Sequence, residues 1–351
     1  MSRSLTLSFV ATLLFQASLQ AQSAPKGTTH PVESRQLSLV ERKELKSEVS
    51  GMLLLPERCD GDGNLYLRIG ADERAIIRKI SPDGKRAVAI PKDPIPDAPH
   101  PHPGTFNVDE QGNVYQLASV GVQRYVFIFD SDGNLKSKVK LDPGFEWLPG
   151  FVAPFTSGAL LVSGVRVHPD PGEQTRKPFT GIFSADGTLR KEVTLPDDDK
   201  LHKMAESGDA RLISPSSSVN NRAFSFGSAE TAPDGNVYVM RAVDPPVIYG
   251  ISPGGEVVKK FVVEFGDANF SPLEPLHILS SRIAVLFHND RNGDDVIKIV
   301  STDGEPLAIY GGPSGGNSPG PGLACWTAPD RFEFIGEADD GYLNVNSFEP
   351  R

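Results

Sequence analysis

Three arginines at corresponding places in this chain give its first chemical signal. Arg68 ends the segment Asn-Leu-Tyr-Leu-Arg, Arg241 ends Asn-Val-Tyr-Val-Met-Arg, and Arg166 lies at a similar place in a third segment. Guanidinium groups bind carboxylates and sulfates through paired hydrogen bonds, so three of them around one opening would favour an anionic ligand. The alternative is that each arginine is a solvated loop charge or pairs with a nearby acid, and exposed ion pairs are usually weak.

Histidines and acidic loops are the candidates for a metal site. The candidate zinc or copper ligands are His100, His102, His168, His277 and His288, but metal sites usually have more closely spaced ligands, so surface or core histidines are the alternative. Asp290, Asn292 and Asp294 alternate oxygen ligands as the start of a calcium loop does, but glycine and glutamate are missing from the later positions. This stretch is a weak calcium candidate. The similar stretch 60–64 is better explained as a hairpin turn.

The sequence contains no recognisable nucleophile elbow, Cys–His catalytic signature or phosphate-binding loop. The glycine-rich stretch 311–316 has no lysine after it and no predicted helix, which argues against phosphate binding. The residues therefore give no recognisable reaction.

The elements that must position these residues are repeated turns. Gly61-Asp62-Gly63-Asn64-Leu65-Tyr66 recurs as Glu110-Gln111-Gly112-Asn113-Val114-Tyr115 and as Pro233-Asp234-Gly235-Asn236-Val237-Tyr238. Each phrase predicts a tight turn followed by a half-buried strand, because Gly and Asn tolerate positive φ and apolar residues then alternate. A second turn follows each phrase at a nearly constant distance. Two hairpins at constant spacing predict a four-stranded meander, with strands a to d.

Counting these meanders predicts an all-β fold, a six-bladed β-propeller. The last blade lacks a fourth strand, and the N-terminal segment 36–45 is its natural donor. This strand would close the ring and remove exposed sheet edges. We therefore expect the propeller to span residues 36–351.

Blade two carries a resemblance to a known family. Phe106-Asn107-Val108-Asp109-Glu110-Gln111-Gly112-Asn113-Val114-Tyr115, followed by Val126-Phe127-Ile128-Phe129-Asp130-Ser131-Asp132-Gly133, resembles the NHL-type propeller repeat. The resemblance implies the six-bladed propeller superfamily, which includes extracellular ligand binders, gluconolactonase-like calcium hydrolases and a metal-dependent amidating lyase. The repeat transfers the fold and not the activity, and neither the ligand set of the hydrolases nor the histidine set of the lyase can be assigned to this chain.

In such a propeller both glycine turns lie on one face, and we expect the ligand on the other. The residues predicted for ligand binding on that face are Arg68, His102, Arg166, Arg222, Arg241, His277 and His288. Cys59 and Cys325 fall on first strands of neighbouring blades once the ring closes. A disulfide between them would join the ends of the ring, and two buried small hydrophobic residues are the alternative.

Composition and termini restrict location and partners. Residues 1–24 combine Arg3, an apolar run and small residues, as a cleavable signal peptide does, and residues 25–35 read as a flexible leader. The apolar run is too short for a membrane span. The net charge of -10 argues against nucleic acid or an anionic membrane as partner. We expect an exported, periplasmic or extracellular, monomeric protein.

Two functions remain open at this point. The first is a non-catalytic module that binds a protein or a small anionic ligand. The second is a metal-dependent hydrolase or lyase of the lactonase-like kind, with calcium or zinc as its metal. A cluster of three or more Asp, Glu, Asn or His side chains at the channel mouth would favour the enzyme.

Overall fold

Aspartate side chains organise the repeated turns in the computed structural model. In the first turn, Asp60 Oδ1 accepts the backbone N–H of Asp62 at 3.1 Å and that of Asn64 at 2.9 Å. Asp60 Oδ2 accepts the hydroxyl of Tyr66 at 2.9 Å, and Gly63 has a φ of 75°. Asp109 repeats this pattern with the second phrase. The phrase is therefore a self-contained turn whose tyrosine fastens the following strand to its own start.

The structure describes residues 32–45, 53–70, 76–98, 101–167, 177–199, 203, 227–241, 245–267, 269–289, 291–311, 323–337 and 343–351. Residues Val32–Arg351 form one compact unit. The predicted signal peptide and most of the predicted leader lie outside the described residues. Within the described ranges, no helix combines the length and apolar character needed to cross a bilayer.

Four sheets have the predicted architecture of a four-stranded antiparallel meander. The first contains β2 (Leu53–Cys59), β3 (Leu65–Ile69), β4 (Ile76–Ile80) and β5 (Ala87–Ile90). The second contains β6 (His102–Val108), β7 (Val114–Val120), β8 (Gln123–Phe129) and β9 (Leu135–Leu141). The third contains β10 (Trp147–Pro154), β11 (Leu160–Arg166), β12 (Lys177–Phe183) and β13 (Leu189–Glu192). The fourth contains β14 (Gly227–Thr231), β15 (Val237–Arg241), β16 (Val247–Ile251) and β17 (Val257–Val262).

The remaining strands form one eight-stranded sheet, where the sequence predicted two separate blades. Its members in spatial order are β18 (Phe270–Leu279), β19 (Arg282–Asn289), β20 (Asp295–Ser301), β21 (Pro306–Gly311), β1 (Glu33–Glu44), β24 (Leu343–Pro350), β23 (Arg331–Glu337) and β22 (Leu323–Ala328).

The strand β1 joins the two halves of this sheet. Its first residues, Glu33–Gln36, run parallel to β21, and the segment from Leu37 to Glu44 runs antiparallel to β24. The predicted pairing of the N-terminal strand with the C-terminal strand is present. The strand begins at Glu33, inside the segment predicted as leader, and this extra length lets it bond β21 as well and merge the two meanders.

The first strands of the meanders lie at the centre of the molecule. In sequence order β2, β6, β10, β14, β18 and β22 each contact the next, and β22 contacts β2. Hydrophobic cores fill the space between adjacent sheets; one of them packs Leu161 and Ile182 of the third sheet against Val239 and Tyr249 of the fourth. The fold is thus all-β with a propeller-like arrangement.

A disulfide connects the first and last of these central strands. Cys59 at the end of β2 and Cys325 on β22 are bonded, with their Cα atoms 5.5 Å apart. Cys59 lies opposite Leu65 in the first sheet, and Cys325 lies opposite Glu333 in β23. Compared by their cross-strand partners, the two cysteines therefore occupy register positions that differ by one residue. This offset does not prevent the disulfide bond.

Candidate functional site

Five polar side chains meet where the central strands converge, and we call them the central charged cluster: Glu57 and Arg58 from β2, Asn107 from β6, Glu230 from β14 and His277 from β18. Three of them occupy one register position. Arg58, Asn107 and Glu230 lie opposite Tyr66, Tyr115 and Tyr238, which are the tyrosines of the repeat phrase. They therefore lie at the same height along the propeller axis.

Irregular pairing turns part of this cluster inward. The register of β2 shifts between Leu54 and Arg58, and that of β18 shifts between Leu273 and His277. A bulge of this kind bends a strand and changes the direction of its side chains. As a result, both members of the consecutive pair Glu57–Arg58 are buried, with 0% and 5% of their surfaces exposed.

Asn107 ties three central strands together. Its side-chain nitrogen donates to the carbonyl oxygens of Val152 on β10 at 3.0 Å and Ala229 on β14 at 2.9 Å. Its side-chain oxygen accepts the N–H of Val108 at 2.8 Å. The side-chain amide of Asn107 therefore makes most of its possible hydrogen bonds within the fold, and Asn107 is a structural bridge.

His277 makes the corresponding link between β18 and β22. Its Nε2 lies 2.5 Å from the carbonyl oxygen of Leu323, so this nitrogen carries the hydrogen and donates it. Burial and, to a smaller extent, the positive charge of Arg58 together lower the pKa of His277 to about 3, although the hydrogen bond to Leu323 opposes this shift. The imidazole is therefore neutral at pH 7.

The two carboxyl groups of the cluster are buried with few partners. Neither oxygen of Glu57 accepts a hydrogen bond from the described part of the chain, and the same holds for Oε2 of Glu230. Burial raises the pKa of each carboxyl to about 7, although Arg58 opposes this rise in both cases. Each group is therefore divided between its neutral and ionised forms near neutral pH.

Arg58 is the electrostatic centre of this group. Its Nη1 donates to the carbonyl oxygen of Glu57 at 3.2 Å, and its charge acts on Glu57, Glu230 and His277. A buried charge is costly unless charged or hydrogen-bonding groups surround it. The cluster therefore holds one positive charge that acts on two acids whose pKa values burial raises.

The arginines predicted to bind an anion are each engaged by the chain itself. Arg68 Nη1 donates to the carbonyl oxygen of Gly104, and burial lowers the pKa of Arg68. Arg166 pairs with Glu192 at 2.8 Å and covers the ring of Phe145, with its guanidinium carbon 3.9 Å from the ring centroid. These contacts match the alternative of local pairing, with a cation–π contact added.

Arg241 is the most deeply buried of the three. It has no exposed surface, and its Nη2 donates to Asp198 Oδ1 at 2.9 Å. Its contacts with the hydroxyls of Ser163 and Thr180 are longer, at 3.4 Å each. Burial lowers the pKa of Arg241, and the charge of Asp198 opposes that effect. Arg241 thus fastens the fourth sheet to the third.

A surface cavity of about 170 Å³ lies beside Arg166 and Arg241, and we call it the rim cavity. Its lining residues are Lys177, Pro178, Phe179, Thr180, Glu192, Val193, Thr194, Asp198 and Asp199. Of the acidic side chains in its wall, Glu192 pairs with Arg166 and Asp198 with Arg241, and Lys177 is the cationic residue of the lining.

The other predicted site residues fall at two places, with His102 on β6 and with His288, Asn292 and Asp294 in the hairpin between β19 and β20. His102 is exposed at the start of β6, and Nδ1 of His288 lies 2.7 Å from Asp295 Oδ1. Asn292 and Asp294 bond each other in a tight turn, through Asn292 Nδ2 and Asp294 Oδ2 at 2.7 Å. Arg222, Asp290, His100 and His168 lie outside the described residues. Among the described residues, no group of three or more His, Cys, Asp or Glu side chains is arranged to hold a metal ion.

Sequence reasoning did not single out Glu57, Arg58, Asn107 and Glu230. One signal was available for three of them. Arg58, Asn107 and Glu230 each precede the tyrosine of their repeat phrase by the same number of residues, at a position where a central strand would otherwise carry an apolar residue. A polar residue recurring at one register position of a repeat indicates a shared location in the fold.

Comparison with known proteins gives the fold and nothing finer. No family model matches the chain, and no curated protein matches it. A luciferin-regenerating enzyme is 10% identical with a TM-score of 0.51, over 88% of this chain and 95% of its own. Regucalcin from Agrobacterium tumefaciens, a calcium-binding protein, is 13% identical with a TM-score of 0.50, over 91% and 97%.

A protein of unknown function from Bacteroides caccae is 15% identical with a TM-score of 0.32, and the match covers 63% of this chain and 60% of that protein. At identities this low, likeness to solved structures carries the fold alone. The chain therefore shares its propeller-like fold with the luciferin-regenerating enzyme and regucalcin. Whether it catalyses a reaction must be argued from its own residues.

Proposed function

We propose that this chain is an exported, six-bladed β-propeller of the NHL-repeat type that acts as a non-catalytic binding module for a protein or a small anionic ligand. The observation that carries the proposal is the rim cavity, which lies at the ends of β11 and β15 on the face where a ligand was expected. Polar groups converge on this concavity, and such concavities are the usual places of ligand binding.

The order of the central strands supports six blades. Each central strand contacts the next, and the last contacts the first. In this interpretation β1 is the fourth strand of the sixth blade, and its parallel contact with β21 is a secondary link to the fifth. The predicted signal peptide at residues 1–24 supports export, and the acidic composition supports a soluble monomer that does not bind nucleic acid.

The central charged cluster favours the binding module over a metal-dependent hydrolase. Regucalcin is a calcium-binding protein, and a calcium ion, which carries two positive charges, needs several oxygen ligands around it. In this chain Arg58 already supplies a positive charge to the acids at the axis, and Asn107 spends its side-chain amide on backbone groups. The described residues at the axis therefore do not fit a calcium ion, and we derive no reaction step through one.

Ligand binding at the rim cavity can be tested by thermal unfolding with chemically simple probes. We expect citrate or sulfate to raise the Tm of the mature protein, because a ligand at 100 times its Kd stabilises the folded state by about 2.7 kcal/mol. K177Q should lose this increase, since Lys177 is the cationic side chain in the cavity wall. K85Q, which changes an exposed lysine in a hairpin turn, is the matched control.

A panel of lactones and esters completes this test. We expect no turnover above the rate of the buffer, with or without added calcium or zinc. Metal-dependent turnover would contradict the proposed binding module and support the metal-dependent hydrolase. An equal Tm response in wild type, K177Q and K85Q would place the ligand away from the rim cavity.

A further inference from the structure

The strand β1 is held in place with little burial of its side chains. Leu37 is its one buried residue, and eight of its twelve residues are exposed. In contrast, all five residues of β15 in the fourth sheet are buried. Burial of apolar surface is the main force that holds elements in a fold, so β1 depends chiefly on its backbone pairing with β21 and β24. A strand attached in this way separates from its sheet more readily than a buried one.

The space between β21 and β24, which we call the β1 slot, fits the sequence of this strand. Leu37 belongs to a hydrophobic core that also contains Tyr310 of β21 and Phe348 of β24. Four positions later, Glu41 Oε2 lies 2.7 Å from Arg331 Nη2 of β23. An extended segment therefore fits the slot when it carries an apolar residue and, four positions further on, an acid.

Arg331 keeps acidic partners when β1 leaves the slot. Its Nη1 lies 3.2 Å from Glu349 Oε1, and its Nε lies 3.8 Å from Glu333 Oε1. Both of these acids belong to strands that stay in the sheet, β24 and β23. Removal of Glu41 therefore breaks one ion pair near the surface and leaves no isolated charge. Ion pairs of this kind contribute little to stability.

The ring has a second closure that does not involve β1. The disulfide between Cys59 and Cys325 joins β2 to β22, the first and last of the central strands, and these two strands also contact each other. In a ring closed by strand pairing alone, release of the N-terminal strand would open the seam between the first and last blades. Here a covalent bond holds that seam at the centre. Departure of β1 then frees the edges of β21 and β24 while the ring stays closed.

Free strand edges pair readily with another extended chain, because their backbone N–H and C=O groups lack partners. The segment that fills both edges in this structure is β1 itself. Every copy of the chain carries this segment, joined to its own β2 through residues 46–52. Exchange of identical elements between copies is a low-cost route to a dimer, since it restores the same contacts. The occupant that the slot fits is therefore the β1 of a second copy.

We propose that β1 is an exchangeable strand and that the β1 slot is an interaction surface for the β1 of a second copy of this chain. In the exchanged dimer each copy supplies β1 to the other, and both disulfides remain intact. A short tether holds the chain's own β1 at an effective concentration on the order of millimolar, so exchange competes at protein concentrations of that order. The inference concerns the closure of the ring and goes beyond ligand binding at the rim cavity.

A labelled synthetic peptide of residues 32–45 tests the slot in the mature full-length chain. We expect this peptide to replace the chain's own β1 and to elute with the folded protein in size-exclusion chromatography. E41Q in the protein weakens its own β1 and leaves Arg331 to the glutamate of the peptide. Incorporation into E41Q should exceed that into wild type by about threefold, the effect of one exposed ion pair.

Two matched controls accompany this measurement. E44Q changes another exposed glutamate of β1 and should incorporate the peptide as wild type does. A peptide that carries the change E41Q should be incorporated less by wild type than the unchanged peptide, and the two should differ in the same direction in the E41Q protein.

Hydrogen exchange distinguishes release of the strand from global unfolding. In wild type, the amides of β1 should exchange faster than those of β2 and β22 by about tenfold or more, because a local opening costs less than global unfolding. In C59A/C325A the release of β1 opens the ring, so this difference should shrink. If that variant does not fold, the comparison of the three strands in wild type remains decisive.

The second copy is tested by mixing isotope-labelled and unlabelled protein at concentrations on the order of millimolar. Physiological salt screens the charge of -10 that each copy carries. Native mass spectrometry after rapid dilution should then detect dimers that contain one labelled and one unlabelled chain.

Three results would overturn the proposal. Exchange in β1 that is no faster than in β2 and β22 would mean that the strand leaves only when the whole protein unfolds. Equal incorporation of the peptide by E41Q and E44Q would mean that the peptide binds outside the slot. Concentrated protein that stays monomeric while the peptide is incorporated would exclude a second copy as the occupant.

Discussion

Arg241 Nη2 and Asp198 Oδ1 lie 2.9 Å apart and form an ion pair that joins the end of β15 to the segment after β13. The arginine has no exposed side-chain surface, and that of the aspartate is 16% exposed. A buried pair of this kind contributes most clearly when one partner is removed, because the other charge then remains buried without compensation.

This ion pair gives the first prediction. D198N should lower the free energy of unfolding by about 3–5 kcal/mol, since Arg241 would keep its charge in a buried position. The double variant R241M/D198N should lose less than D198N alone. Urea unfolding measures the free energy of unfolding of both variants. Equal losses in the single and double variants would contradict the destabilising effect of an uncompensated charge on Arg241.

The disulfide between Cys59 and Cys325 gives the second prediction. The cysteines are 266 residues apart in sequence, so the bond restricts nearly the whole unfolded chain. C59A/C325A should lower the free energy of unfolding by about 5 kcal/mol in the loop-entropy model. The measurement is denaturant unfolding of the double variant beside wild type without reductant. If wild type keeps its stability after full reduction, the entropic contribution is absent.

Two turn glycines give the third prediction, with a matched control. Gly187 and Gly158 have φ values of 87° and 82°, so alanine would be strained in either turn. A Cβ at Gly187 would also overlap the carbonyl oxygen of Lys140, whereas a Cβ at Gly158 meets nothing in the described structure within 4 Å. G158A should cost about 1–2 kcal/mol.

G187A should cost about 1–3 kcal/mol more than G158A, because the backbone of a neighbouring sheet must move. Chemical denaturation of the two variants in parallel isolates this difference. Equal losses of stability in the two variants would mean that the backbone of Lys140 moves aside with no energetic penalty. The contact between the second and third sheets would then be loosely packed.

His277 gives the fourth prediction. Its pKa in the folded state is lowered from 6.5 to about 3, so the folded protein holds this imidazole neutral. The stabilising effect is complete above pH 6.5 and is lost as the pH falls toward about 3, with a total of about 5 kcal/mol at about 1.4 kcal/mol per pKa unit. H277Q should therefore unfold less steeply with acid than wild type, as followed by circular dichroism. An acid transition with unchanged slope would contradict the prediction.

The turns could be predicted from sequence because their interactions are local. Asp60, Gly63 and Tyr66 lie within one short segment, and the same contacts recur around Asp109. The arginines were placed correctly at or near strand ends, but their partners Glu192 and Asp198 come from later segments. Whether they pair with those acids or bind a ligand depends on distances that one sequence does not contain.

The central charged cluster could not be predicted for a different reason. Glu57 and Arg58 are consecutive, and a regular strand would direct them to opposite faces. The irregular pairing of β2 between Leu54 and Arg58 removes that constraint, and Pro56 within this stretch is the one sequence signal that indicates it. The merging of two meanders by β1 was also missed, because it depends on three residues of strand before the predicted start.

The pairing of β1 has a consequence for biosynthesis. β1 precedes every other strand in the chain, yet its partners β21 and β24 are among the last, and the backbone N–H of Arg351 donates to the carbonyl oxygen of Gln36. While the chain is being translated, the earlier meanders can form as they emerge. β1 must wait unpaired through the synthesis of almost all the rest, so its pairing is completed only after β21 and β24 have been synthesised.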